Sequence, residues 1–354
     1  MADTKQTLAA AAALPQAEGR KGMFKKYRST IVFILFIGGI INYLDRSALS
    51  VAAPLIAEEF ELNPAQLGMV FSIFSVGYAA FCFIGGYLSD KLGPYKVLFC
   101  AVLFWSLACG ATALTMGFVS LMVVRFLFGI GEGPLGSSIN KTVNNWIPKK
   151  ERTSAVALSN CGQPLGGAIS APIVGFVALY FGWRFSFVVI MIVGLIWVAF
   201  WKLKARDYPR QHPSVSQEEI AEIEADQDKL VTNKAEKKPL SYYIRQRSVV
   251  IVAFGLFAYN YILFFFLTWF PSYLTMAKHL SIKDMSIVTV LPWIIGCIGQ
   301  VVGGTIGDYL YKRTGNGILA RKIMIVGNMI IAAVMVVLAG VVETAMSAVI
   351  VMSV

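Results

Sequence analysis

Asp45, Arg46, Arg125 and Glu132 are four charged residues that stand well inside apolar stretches of the chain. A charge at the centre of a bilayer costs at least roughly 2.5 to 3.5 kcal/mol, so each needs an interior, hydrated or paired position. Asn42, Asp45 and Arg46 occupy positions i, i+3 and i+4 and share one helix face, with Tyr43 to one side. Arg125, Gly129, Glu132, Gly133, Gly136 and Asn140 recur at helical spacing and make a second polar, small-residue stripe, which Pro134 bends beside Glu132. Asn160, Gln163, Gly167 and Ser170 make a third, and Ser75 with Tyr78 adds to it. Guanidiniums, amides and phenols converging in an apolar matrix suit an oxygen-rich anion, because Arg offers a planar fork to a carboxylate and stays charged at any pH. The carboxylates of Asp45 and Glu132 supply what Arg cannot, a proton that comes and goes. Burial and a neighbouring Arg act on such a group in opposite directions, so it titrates when the balance shifts during a cycle.

A plainer reading is that Asp45 with Arg125, or Arg46 with Glu132, are fixed ion pairs that lock helices together. For Asn160, Gln163, Tyr43 and Tyr78, interhelical hydrogen bonding is an equal alternative. The aromatic run Phe264, Phe265, Phe266, Trp269 and Phe270 before Pro271 reads as packing and interface anchoring.

The elements that must hold these residues follow from composition. With 57% hydrophobic and 14% charged residues and a mean hydropathy of +0.66, the chain is far from the soluble norm of about 25% charged. It reads as an all-α polytopic membrane protein. Apolar runs of membrane length predict helices over 30–56, 66–88, 97–117, 119–140, 154–179 and 184–203, then 248–275, 284–306 and 322–341, with the start of another at 345. The expected organisation is a tail 1–29, a six-helix bundle 30–203, a linker 204–247 and a partial second bundle 248–354. In the linker, Ser216 with Glu219 makes a capping box and Ile220, Ile223 and Leu230 a weak apolar stripe, so a short surface helix is expected. Its acidic face reads as solvated rather than docked.

Lys21, Lys25, Lys26 and Arg28 precede the first span and Glu58, Glu59 and Glu61 follow it. Lys91, Lys96, Lys149, Lys150, Arg152, Lys202, Lys204, Arg206, Arg321 and Lys322 fall on the side of the N-terminus, which the bias of basic loops places in the cytoplasm. The net charge of +11 follows from that bias and from anionic lipid, with no nucleic-acid partner required. Cys82, Cys100, Cys109, Cys161 and Cys297 lie in apolar spans and read as buried thiols. His212 and His279 fall in loops, so no metal-ligand spacing arises, and no cofactor is expected. No nucleophile with a base and no phosphate loop is visible, which argues against an enzyme.

One local phrase occurs twice. Gly85, Gly86, Asp90, Lys91, Gly93 and Lys96 are echoed by Gly303, Gly304, Asp308, Lys312, Arg313 and Gly315, each at the end of an apolar stretch. Such a repeat is characteristic of transporters built from duplicated membrane units. Gly86, Asp90, Lys91, Gly93 and Asp308 read as a conformational latch: glycines permit tight helix contact, and Asp90 meets a helix N-terminus or a basic side chain. The repeat also implies a twelfth helix ending about 67 residues beyond Val354, so the second bundle is expected to be incomplete, with about nine and a half helices present.

The stretch from Gly86 to Gly93 resembles the signature loop of the major facilitator superfamily. More narrowly, Asn42-Tyr43-Leu44-Asp45-Arg46, the run from Arg125 to Pro134, Asn145-Trp146-Ile147-Pro148 and the run from Phe265 to Pro271 resemble the anion:cation symporter family. Its members include bacterial galactonate, glucarate and hexuronate transporters. The resemblance implies two six-helix bundles with a central site and alternating access. It implies that Asp45 and Glu132 are protonated during transport, that Arg46 holds the substrate carboxylate, and that Arg125 pairs with an acidic group. Tyr43, Tyr78 and Gln163 match positions lining the site. The function it implies is proton-coupled symport of an organic anion such as an aldonate, aldarate or hexuronate, by a monomer in a bacterial inner membrane. A proton-independent exchanger or facilitator, and a truncated membrane protein that moves nothing, are the alternatives.

Overall fold

The computed structural model describes residues 26–225, 242, 245–342 and 344–353. Its helices are α1 (Tyr27–Glu59), α2 (Pro64–Leu92), α3 (Pro94–Ala111), α4 (Phe118–Glu132), α5 (Leu135–Trp146), α6 (Lys149–Phe181) and α7 (Trp183–Lys204). Then come α8 (Gln217–Ala225), α9 (Arg247–Phe264), α10 (Phe270–Met276), α11 (Ile282–Val288), α12 (Val290–Thr314), α13 (Gly317–Val341) and α14 (Ala345–Ser353). Among the described residues, eight helices are long and apolar enough to cross a membrane. Large apolar side chains such as Phe83, Phe254 and Val337 point outward, as lipid-facing surfaces require.

Each element expected from an apolar run is present, with three interruptions, one of them at Thr289 between α11 and α12 inside the run expected over 284–306. Gly133 and Pro134 separate α4 from α5, because a proline has no N–H for the ladder and its ring clashes with the preceding turn. A π-helical turn, Phe265–Trp269, separates α9 from α10 ahead of Pro271. Asn63 caps α2 reciprocally with Gln66.

Glycines set how closely the first-half helices approach. A Cβ at Gly166 would fall 2.2 Å from the Ile40 carbonyl oxygen, and one at Gly129 would fall 2.2 Å from that of Phe74. Helices α1 with α6 and α2 with α4 therefore pack backbone to backbone. The second half meets the first at the end remote from Tyr27. There Trp269 lies over Gly68 and edge-on to Phe71 and Ser286 abuts Gly175, while nearer the middle of α6 Trp293 covers Gly167. The aromatic run is packing between halves, with Phe270 and Pro271 buried.

Helix α8 corrects the expectation of a solvated linker. Its Glu219 is 4% exposed and accepts the backbone N–H groups of Tyr27 (3.0 Å) and Arg28 (2.9 Å). These are orphan donors at the start of α1, and a carboxylate there also meets the positive end of the helix dipole. Ser216 caps Glu219 N, but the Glu219 carboxylate turns to α1 instead of closing the box. Arg28, fully buried, donates to Glu151 of α6 (2.9 Å) and Glu222 of α8 (2.7 Å), and Lys26 also pairs with Glu222. Ile220 and Ile223 are buried beneath α8, while Leu230 lies outside the described residues. His212 lies in a loop as expected, and there it stacks on Tyr27 with ring centroids 4.3 Å apart and meets its hydroxyl at 2.9 Å.

The cysteines also differ from expectation. Cys109 is buried, Cys82 is half-buried, and Cys100 and Cys161 are exposed. A thiol behaves as a small hydrophobe and is tolerated on an apolar helix surface as readily as in a core.

Candidate functional site

The charged residues of α1 and α4 come together in the middle of the first bundle. Arg46 Nε donates to Glu132 Oε2 at 2.5 Å, with the two side chains 9% and 0% exposed. Of the two ion pairs open from the sequence, Arg46 with Glu132 is the one formed. The Arg46 guanidinium carbon lies 4.5 Å from the Tyr78 ring centroid, 5.3 Å from Phe74 and 5.7 Å from Tyr43. Three rings around one cation hold it electrostatically.

Arg125 shares the Phe74 ring with Arg46, its guanidinium carbon 4.8 Å from the Phe128 centroid and 5.1 Å from that of Phe74. Asp45 is 1% exposed and Asn42 likewise. Asp45 Oδ1, Glu132 Oε1, Arg125 Nε and Asn42 Nδ2 are buried without a hydrogen-bond partner. An orphaned buried polar atom costs about 1 to 3 kcal/mol, and more when charged.

Tyr43 packs edge-on against Trp293 of α12, with centroids 6.1 Å apart, so the second half reaches this cluster. Gln163 is half-buried against Gly39 of α1, one turn before Tyr43. Asn160 is exposed, and Ser170 donates to the Leu44 carbonyl at 3.2 Å, a purely structural bond. Two contributors escaped the sequence reading. Phe74 touches both arginines. Trp105 is fully buried on α3, its Cβ against Gly131 beside Glu132. Both are ordinary core residue types, and only their neighbours distinguish them.

The repeated phrase lies elsewhere, at the end bearing Tyr27. Asp90 pairs with Lys141 of α5 at 2.7 Å on the surface, and Lys91 lies 5.9 Å from the Tyr87 ring. Gly86 makes only ordinary contact with Ser137. Gly93 takes φ +88°, and a Cβ there would fall 2.3 Å from Asp207 Oδ1. That carboxylate caps α3 by accepting Tyr95 N–H at 2.9 Å. Asp308 lies in α12, its side chain outside the described residues. Among the described residues no cluster of His, Cys, Asp and Glu could hold a metal ion.

Comparison with known proteins agrees with this architecture. The chain is 50% identical over 329 residues to a hexuronate transporter of Bacillus subtilis (strain 168), covering 92% of this chain and 76% of that protein. It is 37% identical over 296 residues to a probable sulfoacetate transporter of Cupriavidus necator, covering 84% and 68%. It is 35% identical over 333 residues to a probable galactarate/D-glucarate transporter of Escherichia coli (strain K12), covering 89% and 74%. Among solved structures, an inward-facing, unoccupied bacterial homolog of the human lysosomal transporter Spinster superposes with a TM-score of 0.71 at 18% identity, over 92% of this chain and 71% of that one. The D-xylose-proton symporter gives 0.56 at 17% identity, over 84% and 78%. Residues 35–354 match the sequence pattern of the Major Facilitator Superfamily, and with membrane-length helices around a buried charged cluster this chain belongs to that family of membrane transporters, not to the enzymes.

Proposed function

We propose that this chain carries a small organic anion, a sugar acid such as a hexuronate, aldonate or aldarate, across a bacterial inner membrane together with protons. The N-terminus and α8 lie on the cytoplasmic side in this reading, where the basic loops collect. The observation that carries the proposal is the buried Arg46–Glu132 pair: the cation best suited to a substrate carboxylate is held by a group that a proton can neutralise. The relatives named for hexuronate, galactarate/D-glucarate and sulfoacetate transport support an anionic substrate class.

The physical sequence is short. With all four groups ionised, Asp45, Glu132, Arg46 and Arg125 sum to zero. A proton on Glu132 breaks its hold on Arg46, and the freed guanidinium takes the substrate carboxylate. The incoming negative charge is offset by the proton, so the loaded site is again neutral and can be enclosed. A half-loaded site strands a charge in low dielectric, at a cost of several kcal/mol, and does not close. Coupling is this penalty. Asp45 offers a second protonation position beside the first, and Tyr43, Tyr78 and Gln163 line the approach. Gly86, Asp90, Lys91, Gly93 and Asp308 belong, in the same proposal, to the cytoplasmic latch.

The test is uptake into proteoliposomes with an inward proton gradient. Glu132→Gln, which mimics the protonated group, is expected to abolish gradient-driven accumulation while leaving substrate exchange at equal pH. Unchanged concentrative uptake in that variant overturns the assignment. A proton-independent exchanger is separated by the external pH, which then stays constant when substrate is added.

A further inference from the structure

We infer that Phe74 is a positioning residue for substrate binding: its ring, lying against the guanidiniums of both Arg46 and Arg125, sets the two cations on one aromatic row where a carboxylate can reach them. The inference rests on the reading of Arg46 as the cation for the substrate and adds to it an apolar residue on α2.

Three rings form the row. Phe74 stacks on Tyr78 with centroids 5.7 Å apart and lies 5.6 Å from Phe128. The Arg46 guanidinium carbon is over Tyr78 at 4.5 Å and over Phe74 at 5.3 Å. That of Arg125 is over Phe128 at 4.8 Å and over Phe74 at 5.1 Å. Phe74 is thus the ring that the two cations have in common. The face of an aromatic ring is the negative part of its quadrupole and attracts a cation, most strongly where water is excluded. Phe74 and both arginines are buried.

Backbone contacts set where the ring stands. A Cβ at Gly129 would fall 2.2 Å from the Phe74 carbonyl oxygen, and one at Gly77 would fall 2.5 Å from that of Phe126. Helices α2 and α4 therefore touch directly at Phe74, and Tyr78, four residues on, falls on the same face of α2. Phenylalanine suits the middle of the row because a buried tyrosine there would need a partner for its hydroxyl. Two like charges close together repel, and a carboxylate set between them would quench that repulsion but compete with the substrate. An uncharged ring attracts both cations and adds no anion to compete for them. It holds Arg125, whose Nε has no hydrogen-bond partner, and it keeps hold of Arg46 when Glu132 gives that guanidinium up.

The test replaces Phe74 in the full chain by phenylalanines bearing one, two and three ring fluorines, which drain the ring face of electron density and nearly keep its shape. Affinity for the hexuronate D-glucuronate, read by calorimetry in detergent, is expected to fall stepwise with each fluorine, by about tenfold over the series. An affinity that stays level, or that drops at the first fluorine and no further, assigns Phe74 to packing alone and overturns the inference. A second measurement needs no substrate. The unfolding midpoint of the substrate-free protein is expected to fall with each fluorine in the parent chain. It is expected to fall by about half as much in Arg125→Gln, or in Arg125→Met if the Gln chain does not accumulate, because one of the two cations is gone. Midpoints that do not move, or that move alike in the Arg125 variant, overturn the shared hold. If the parent protein binds no D-glucuronate while the midpoints fall with fluorine and depend on Arg125, the hold on both cations stands and the proposed substrate class falls.

Discussion

Arg46 has two partners that compete for one guanidinium, the Glu132 carboxylate now bound to it and the substrate carboxylate of the proposed cycle. The rings of Tyr78, Phe74 and Tyr43 hold the cation in place during the exchange. Lysine keeps the charge but loses the fork that grips a carboxylate through two parallel bonds. Arg46→Lys is therefore expected to weaken substrate binding about tenfold to a hundredfold, the worth of one charge-assisted hydrogen bond, as read by substrate-dependent thermal shift. The sequence exposed these charged residues because each was costly where it stood. It left both pairings open, since spacing along α1 and α4 does not say which carboxylate meets which arginine. Phe74 was not legible at all, because nothing in an apolar run marks the one phenylalanine that lies against two arginines.

At the scale of elements, α8 ties together the starts of α1 and α6 through Glu219, Arg28, Glu151 and Glu222. Arg28→Ala leaves Glu151 buried without its cation. The expected loss is about 3 to 5 kcal/mol of stability, the cost of breaking a buried pair by removing one partner, read as a lowered unfolding midpoint in detergent. The docked loop is also sensitive to acid. Burial, with Arg206 and Lys204 nearby, pushes the His212 imidazole below its ordinary value, so the docked form binds fewer protons than the open form. Docking is then complete above the open-form value and weakens as pH falls through it. Proteolysis of the linker is expected to accelerate below about pH 6 in the parent chain. His212→Phe, which keeps the stack on Tyr27, is expected to lose that acceleration. The linker helix itself was legible from Ser216 and its apolar stripe. Its docking was not, because a run of Glu residues looks solvated until the orphan N–H groups at the start of α1 are placed beside it.

Across the whole molecule, the halves are closed on one another at the end remote from Tyr27, where Gly175 and Ser286 leave no room for a side chain. A Cβ on Gly175 would fall 2.8 Å from Ser286 Cβ, against about 3.8 Å in a disulfide, so a small parting of α6 and α11 accommodates a bridge. Gly175→Cys with Ser286→Cys is expected to lose uptake on oxidation and regain it on reduction. Uptake indifferent to oxidant, with the bridge verified by mass, shows that this contact does not open in the cycle. The sequence by itself determined the membrane class, the order of the apolar helical runs and the set of buried charges, because length, hydropathy and the expense of a charge in lipid are local properties. The tertiary structure alone decided that Glu132 takes Arg46, that Glu219 caps α1, that Phe74 lies against both arginines and that α6 packs on α11 and α12. Each of these joins residues far apart in the chain, and which side chains meet across helices depends on packing that no single stretch encodes.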